Sequence, residues 1–131
     1  MRPTIISIAL ALLLSTAIPA EEVEGLIKLQ DPLDEPELYC LDVPGFRDRV
    51  QLEAPLMAHT CKRRDAADEL FTLDHPAEGQ LYMKAYGLCV AVAEGSGVPT
   101  GGPSHLRRDL KLEVCKGLSP SLSQWAWPIR E

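Results

Sequence analysis

Tyr39-Cys40-Leu41-Asp42-Val43 is the stretch on which the fold turns: a cysteine opens an alternation of apolar and polar residues, and the pattern returns 49 residues later as Leu88-Cys89-Val90-Ala91-Val92. Outward from this pair, Glu24–Leu29 matches Glu78–Met83 at an offset of 54. Val50–Glu53 matches Leu110–Glu113 at 60, and Glu69–Leu73 matches Ser123–Trp127 at 54. Four blocks in the same order make two modules, about residues 24–74 and 78–131, with drift confined to the connections.

Each block is four to six residues long and alternates as Leu-Asp-Val, Val-Gln-Leu or Phe-Thr-Leu do, the period-two signal of a half-buried strand. Breakers separate the blocks: Asp31–Glu37 with two prolines, Pro44–Asp48, and the long Gly95–Pro103. With 11 prolines in the chain, long helices are disfavoured, and one helical turn is expected around Arg64–Glu69. The fold class is therefore all-β, two sets of four strands. The alternation places Leu26 or Ile27, Leu29, Leu41, Val43, Val50, Leu52, Phe71 and Leu73 inward in the first module. In the second it places Leu81, Met83, Val90, Val92, Leu110, Leu112, Trp125 and Trp127 inward.

The first 20 residues read as a removable leader: Met1-Arg2, an apolar block Ile5–Leu14, then small residues offering cleavage after Ala17 or Ala20. The apolar block is shorter than the ~20 residues of a membrane-spanning helix. Secretion, extracellular or periplasmic, is expected, with no membrane span. Loss of Arg2 takes the formal net charge from −6 to −7, 12 basic against 19 acidic residues, which disfavours a nucleic-acid partner. Four cysteines in a small exported chain suggest a disulfide framework. Because Cys40 and Cys89 share a place in the two modules, and Cys61 and Cys115 both follow the third block, the repeat selects Cys40–Cys61 and Cys89–Cys115. No Cys-x-x-Cys is present, so zinc is not expected, and neither metal nor cofactor is assigned.

Cys-Leu-Asp-Val-Pro-Gly at Cys40–Gly45, Val-Gln-Leu at Val50–Leu52, a second cysteine and the hydrophobic block Glu69–Leu73 together resemble one repeat of a ricin-B-type β-trefoil lectin. Gly87-Leu88-Cys89-Val90, closing on Ser123-Gln124-Trp125-Ala126-Trp127, resembles another. The resemblance implies a β-trefoil-like fold, yet such lectins carry three repeats and only two are found here. Either a degenerate third segment lies in the Pro/Gly-rich loops, or the trefoil is abbreviated, or two chains complete one another as a homodimer.

It also implies a sugar pocket in the first repeat. Asp42 takes the place of the carboxylate that accepts two sugar hydroxyls, and Gln51 that of the polar residue of the third strand. Glu53 falls where an aromatic platform belongs, and Asp68 and Glu69 where a polar pair precedes the fourth strand. Ala91 replaces the acid in the second module, which is expected to be structural. Asp42 also suits a strand-end acid bonding the Pro44-Gly45 turn, and an oxygen-rich pocket suits Ca²⁺ alongside a glycan.

Catalysis has no foothold: His59, His75 and His105 stand among turn-forming residues, and no serine sits in a nucleophile elbow. The expectation is a secreted, non-enzymatic carbohydrate-binding module recognising a glycan or glycoprotein. Its alternative is a protein-interaction module of toxin-subunit or inhibitor type that keeps the fold without the sugar site, its partner another protein.

Overall fold

A computed structural model describes residues 22–102 and 104–127, so the expected leader lies outside the described residues. The described chain is all-β, with nine strands, one 3₁₀ turn at Arg47–Arg49 and a single four-residue helix. The strands are β1 (Glu24–Leu26), β2 (Tyr39–Asp42), β3 (Met57–Thr60), β4 (Leu70–Leu73), β5 (Leu81–Met83), β6 (Leu88–Val92), β7 (Val98–Gly102), β8 (His105–Arg107) and β9 (Leu110–Glu113). The helix, α1, spans Pro120–Ser123 with proline in its first turn, where a missing N–H costs nothing.

Five strands form one antiparallel sheet in the order β1-β4-β5-β6-β9, and β2-β3 and β7-β8 are separate hairpins. The extended run 24–29 serves two of these units. Glu24–Leu26 pairs with β4, whereas Lys28 bridges Cys40 and Leu41 N–H donates to the Ile27 carbonyl at 2.9 Å. The core is a cluster of Val43, Phe71, Leu81, Met83, Val90 and Leu112, with Ile27, Leu41, Leu110 and Trp125 among the half-buried residues packed against it. No helix among the described residues is long and apolar enough to cross a membrane.

Both expected disulfides are present, Cys40–Cys61 and Cys89–Cys115, and no free cysteine remains. In each case the first cysteine lies on a strand and the second follows the strand paired with it.

Several local expectations are overturned. Val50–Glu53 is not the third strand: Gln51 N–H donates to the Pro44 carbonyl at 2.7 Å and Ala54 N–H to the Gln51 carbonyl at 3.1 Å, which curls the segment into a turn. Met57–Thr60, directly before Cys61, is the strand instead. Val50 and Leu52 still pack against the core from that turn. The last block does not form a strand either, since α1 ends at Ser123 and Ser123–Trp127 pairs with no strand. Trp125 nonetheless docks, its N–H donating to the Gly79 carbonyl at 2.7 Å and its indole N–H to the Val90 carbonyl at 3.1 Å.

No helical turn forms at 64–69, where Ala67–Glu69 makes a plain turn into β4. The Gly/Pro-rich segment, expected as loop, holds the exposed hairpin β7-β8, whose pairing shifts register between Pro99 and Gly102. A proline is tolerated on such a strand because no neighbour needs its N–H. Leu29, Leu73 and Trp127 point outward rather than into the core.

Candidate functional site

The first hairpin and the turn after it assemble a buried ionic cluster. β2 ends at Asp42, whose residue is only 2% exposed, and Val43 N–H donates to the Asp68 carbonyl at 3.1 Å, drawing the turn before β4 alongside. Asp68 and Glu69, adjacent in that turn, are likewise buried. The Cys40–Cys61 disulfide delivers the next residue, Lys62, to the three carboxylates. Its ammonium lies 3.4 Å from Asp42 Oδ2 and is paired with Asp68 Oδ2, while its backbone N–H donates to Glu69 Oε2 at 2.8 Å.

His59 completes the cluster. It faces Cys40 across the β2-β3 pairing, and its exposed ring brings Nδ1 to 3.5 Å from Asp42 Oδ2. The three carboxylates share one ammonium, so desolvation is incompletely repaid. Burial pushes the Asp42 carboxyl above its ordinary range, helped by the neighbouring charge of Asp68 and opposed by Lys62. Burial raises Glu69 as well, opposed chiefly by the Lys62 backbone N–H. Burial works against the Lys62 ammonium, but the hydrogen bond to Asp68 and the charges of Asp42 and Asp68 outweigh it and hold its pKa above the usual value.

Above this cluster opens a cleft of about 380 Å³ lined by Asp42, Gly45, Phe46, Met57, His59 and Lys62. Phe46 presents an exposed ring whose centroid lies 5.5 Å from the Lys62 ammonium and 4.9 Å from the Arg47 guanidinium, within cation–π range. The ring is aimed by the turn at Gly45, whose φ of 95° is a left-handed conformation. A Cβ there would stand 2.2 Å from the Arg49 carbonyl oxygen, so only glycine fits.

Of the five residues expected to contact a sugar, Asp42, Asp68 and Glu69 come together. Gln51 and Glu53 are exposed on the turn that replaced the expected strand and do not line the cleft. Their places are taken by Met57, which is opposite Asp42 in the pairing, and by His59, two residues further along β3. Neither was singled out for this role in the sequence, nor were Lys62 and Phe46. The findable signal was the offset of 54 between Cys61 and Cys115, shared by the first and last blocks: moved back by 54, Leu110–Glu113 falls on 56–59, one residue short of the observed Met57–Thr60.

The acidic run 31–37 is occupied by local bonds. Asp31 caps the Leu33 N–H, Asp34 accepts from the Tyr39 hydroxyl, Glu35 accepts from Thr60, and Glu37 pairs with Arg63. These acids tie the β1-β2 connection down on the first hairpin. No protein-family description, curated protein sequence or solved structure matches the chain.

Proposed function

We propose that the protein is a secreted carbohydrate-binding module of lectin type, its two modules two repeats of a shortened trefoil-like fold, and that its ligand enters the cleft above Asp42. One observation carries this reading: a buried carboxylate at the floor of an open cleft, flanked by the exposed rings of Phe46 and His59. Sugars are bound by that combination, because their hydroxyls need a fixed acceptor and their C–H faces need an apolar ring. Asp42 Oδ2, held by Lys62, accepts hydroxyl hydrogens. The Lys62 ammonium donates to a sugar oxygen, and Phe46 and His59 supply the faces that the Glu53 position lacks. The repeat reading draws support from the common pairing of the hairpins: Cys40 faces His59 as Cys89 faces Glu113.

The test is a glycan array followed by calorimetric titration with galactose-type sugars. Wild type should bind, Phe46→Ala should weaken binding about ten-fold, and Asp42→Asn should abolish it. Equal signals from wild type and Asp42→Asn would sink the assignment.

A second reading, a protein-interaction module, is favoured by a separate apolar hollow of about 610 Å³ that includes Ile27, Leu29, Leu33, Tyr39, Leu41 and Leu110. A tight protein partner recovered by pull-down, with no sugar raising the melting temperature, would select it.

A further inference from the structure

The ionic cluster is unbalanced. Asp42, Asp68 and Glu69 are all at most 3% exposed, and the one ammonium among them leaves two negative charges in a nearly dry site. Asp42 Oδ1 and Glu69 Oε1 are buried with no hydrogen-bond partner among the described residues, as is Asp68 Oδ1. A buried carboxylate oxygen without a donor is costly, so such atoms call for a cation or a proton.

Asp42, His59 and Glu69 offer one ligand atom each, all within 4.8 Å of one another. Ligands of a tetrahedral zinc ion stand about 3.4 Å apart, given metal–ligand distances near 2.0–2.1 Å. His59 Nδ1 already stands 3.5 Å from Asp42 Oδ2, close to that separation, and its ring is half exposed.

We propose that Asp42, His59 and Glu69 form a binding site for a first-row divalent cation of the Zn²⁺ type, with the cleft leaving a coordination position open to solvent or ligand. Charge supports the valence, since a divalent ion neutralises the two surplus charges. Donor type supports the metal class: an imidazole nitrogen with carboxylates suits zinc, whereas calcium and magnesium prefer oxygen-only sets. The Nδ1 atom that approaches Asp42 also lies 3.3 Å from the Thr60 carbonyl. As a ligand it releases that contact, and the ring proton stays on Nε2. Lys62 stays paired with Asp68 Oδ2, so three carboxylates, one ammonium and one divalent ion balance. Asp42 and His59 line the cleft of the sugar reading and Glu69 is buried beside them, but the site does not depend on that reading. Sequence spacing concealed it, because its three ligands are scattered between residues 42 and 69.

Calorimetric titration of the oxidised, leader-free chain with Zn²⁺, without sugar and after chelator treatment, tests the proposal. One ion per chain is expected, with no heat from Ca²⁺. His59→Ala, a surface change that leaves the circular dichroism spectrum intact, should weaken Zn²⁺ at least ten-fold. His75→Ala and His105→Ala should leave it unchanged. Absence of Zn²⁺ binding by wild type, or an affinity unmoved in His59→Ala, overturns the site. Sugar titrations run with EDTA and with Zn²⁺ separate the two claims: no sugar binding in either condition, with Zn²⁺ still bound, removes the lectin reading alone.

Discussion

The hairpins β2-β3 and β6-β9 share a register and a disulfide placement, yet they are stabilised by different physics. Asp42 of the first corresponds to the buried Ala91 of the second, His59 to Glu113, Lys62 to the exposed Lys116, and Glu69 to Ser123. Four of the six core residues, Leu81, Met83, Val90 and Leu112, belong to the second module, and only Val43 and Phe71 to the first. Both modules are cross-linked, but the second supplies most of the hydrophobic core and the first carries the buried ion cluster. An ion cluster is a poor source of net stability, because desolvation consumes most of the Coulombic gain. In the first module that cluster lies beneath an open cleft, and no counterpart of its acids is present at Ala91 and Ser123 of the second.

The sharpest way to break this contrast is to remove the lysine from each hairpin. Lys62→Met strips the ammonium from three buried carboxylates and should cost about 3 kcal/mol or more in urea unfolding. Lys116→Met, at the matching but exposed position, should stay within about 0.5 kcal/mol. Equal costs would erase the distinction.

Next in size are the cross-links. Replacing either cysteine pair by alanine should cost about 3 kcal/mol, because the sequence separations of 21 and 26 residues differ too little to matter in chain entropy. The two double variants should differ in what survives: loss of Cys40–Cys61 should disperse the His59 and Asp42 resonances in NMR spectra, and loss of Cys89–Cys115 should leave them in place.

The smallest effect is on pH dependence. Asp42 and Glu69 have folded-state pKa values raised above their ordinary 3.8 and 4.5. Protonation therefore favours the folded chain, and their stabilising contribution is present below those values and lost as pH rises through the raised ones. Lys62, raised above 10.5, contributes below that value and loses its contribution as pH climbs through its own raised pKa. Melting temperature should accordingly fall from about pH 4 toward neutrality, with a second fall in strong alkali. Asp42→Asn should flatten the acid-side fall; an unchanged profile in that variant would show that the slope arises elsewhere.

Much of the fold was legible because alternation and cysteine position are local signals. β2, β4, β6 and β9 sit within a residue or two of their expected blocks, and the paired cysteines follow from the module alignment. What misled was apolar alternation without a pairing partner. Val50-Gln51-Leu52 alternates as a strand does, but Ala54-Pro55 follows, and the segment turns to seat two aliphatic side chains on the core. Ser123–Trp127 fails as a strand for a related reason, since a docked indole needs an anchored backbone rather than a strand partner. In the site, Asp42, Asp68 and Glu69 could be named through the resemblance to a lectin repeat. Lys62, His59 and Phe46 could not, because their relevance depends on a disulfide and a glycine turn folding them over Asp42.

The Cys40–Cys61 bond also sets a timetable. Lys62 and His59 flank Cys61, so their approach to Asp42 is coupled to the covalent step that ties Cys61 to β2. While its thiols are free, the nascent chain lacks the tether that keeps these groups at the cleft. The geometry of the cleft is thus tied to oxidation of Cys40 and Cys61, a step that belongs to oxidising compartments.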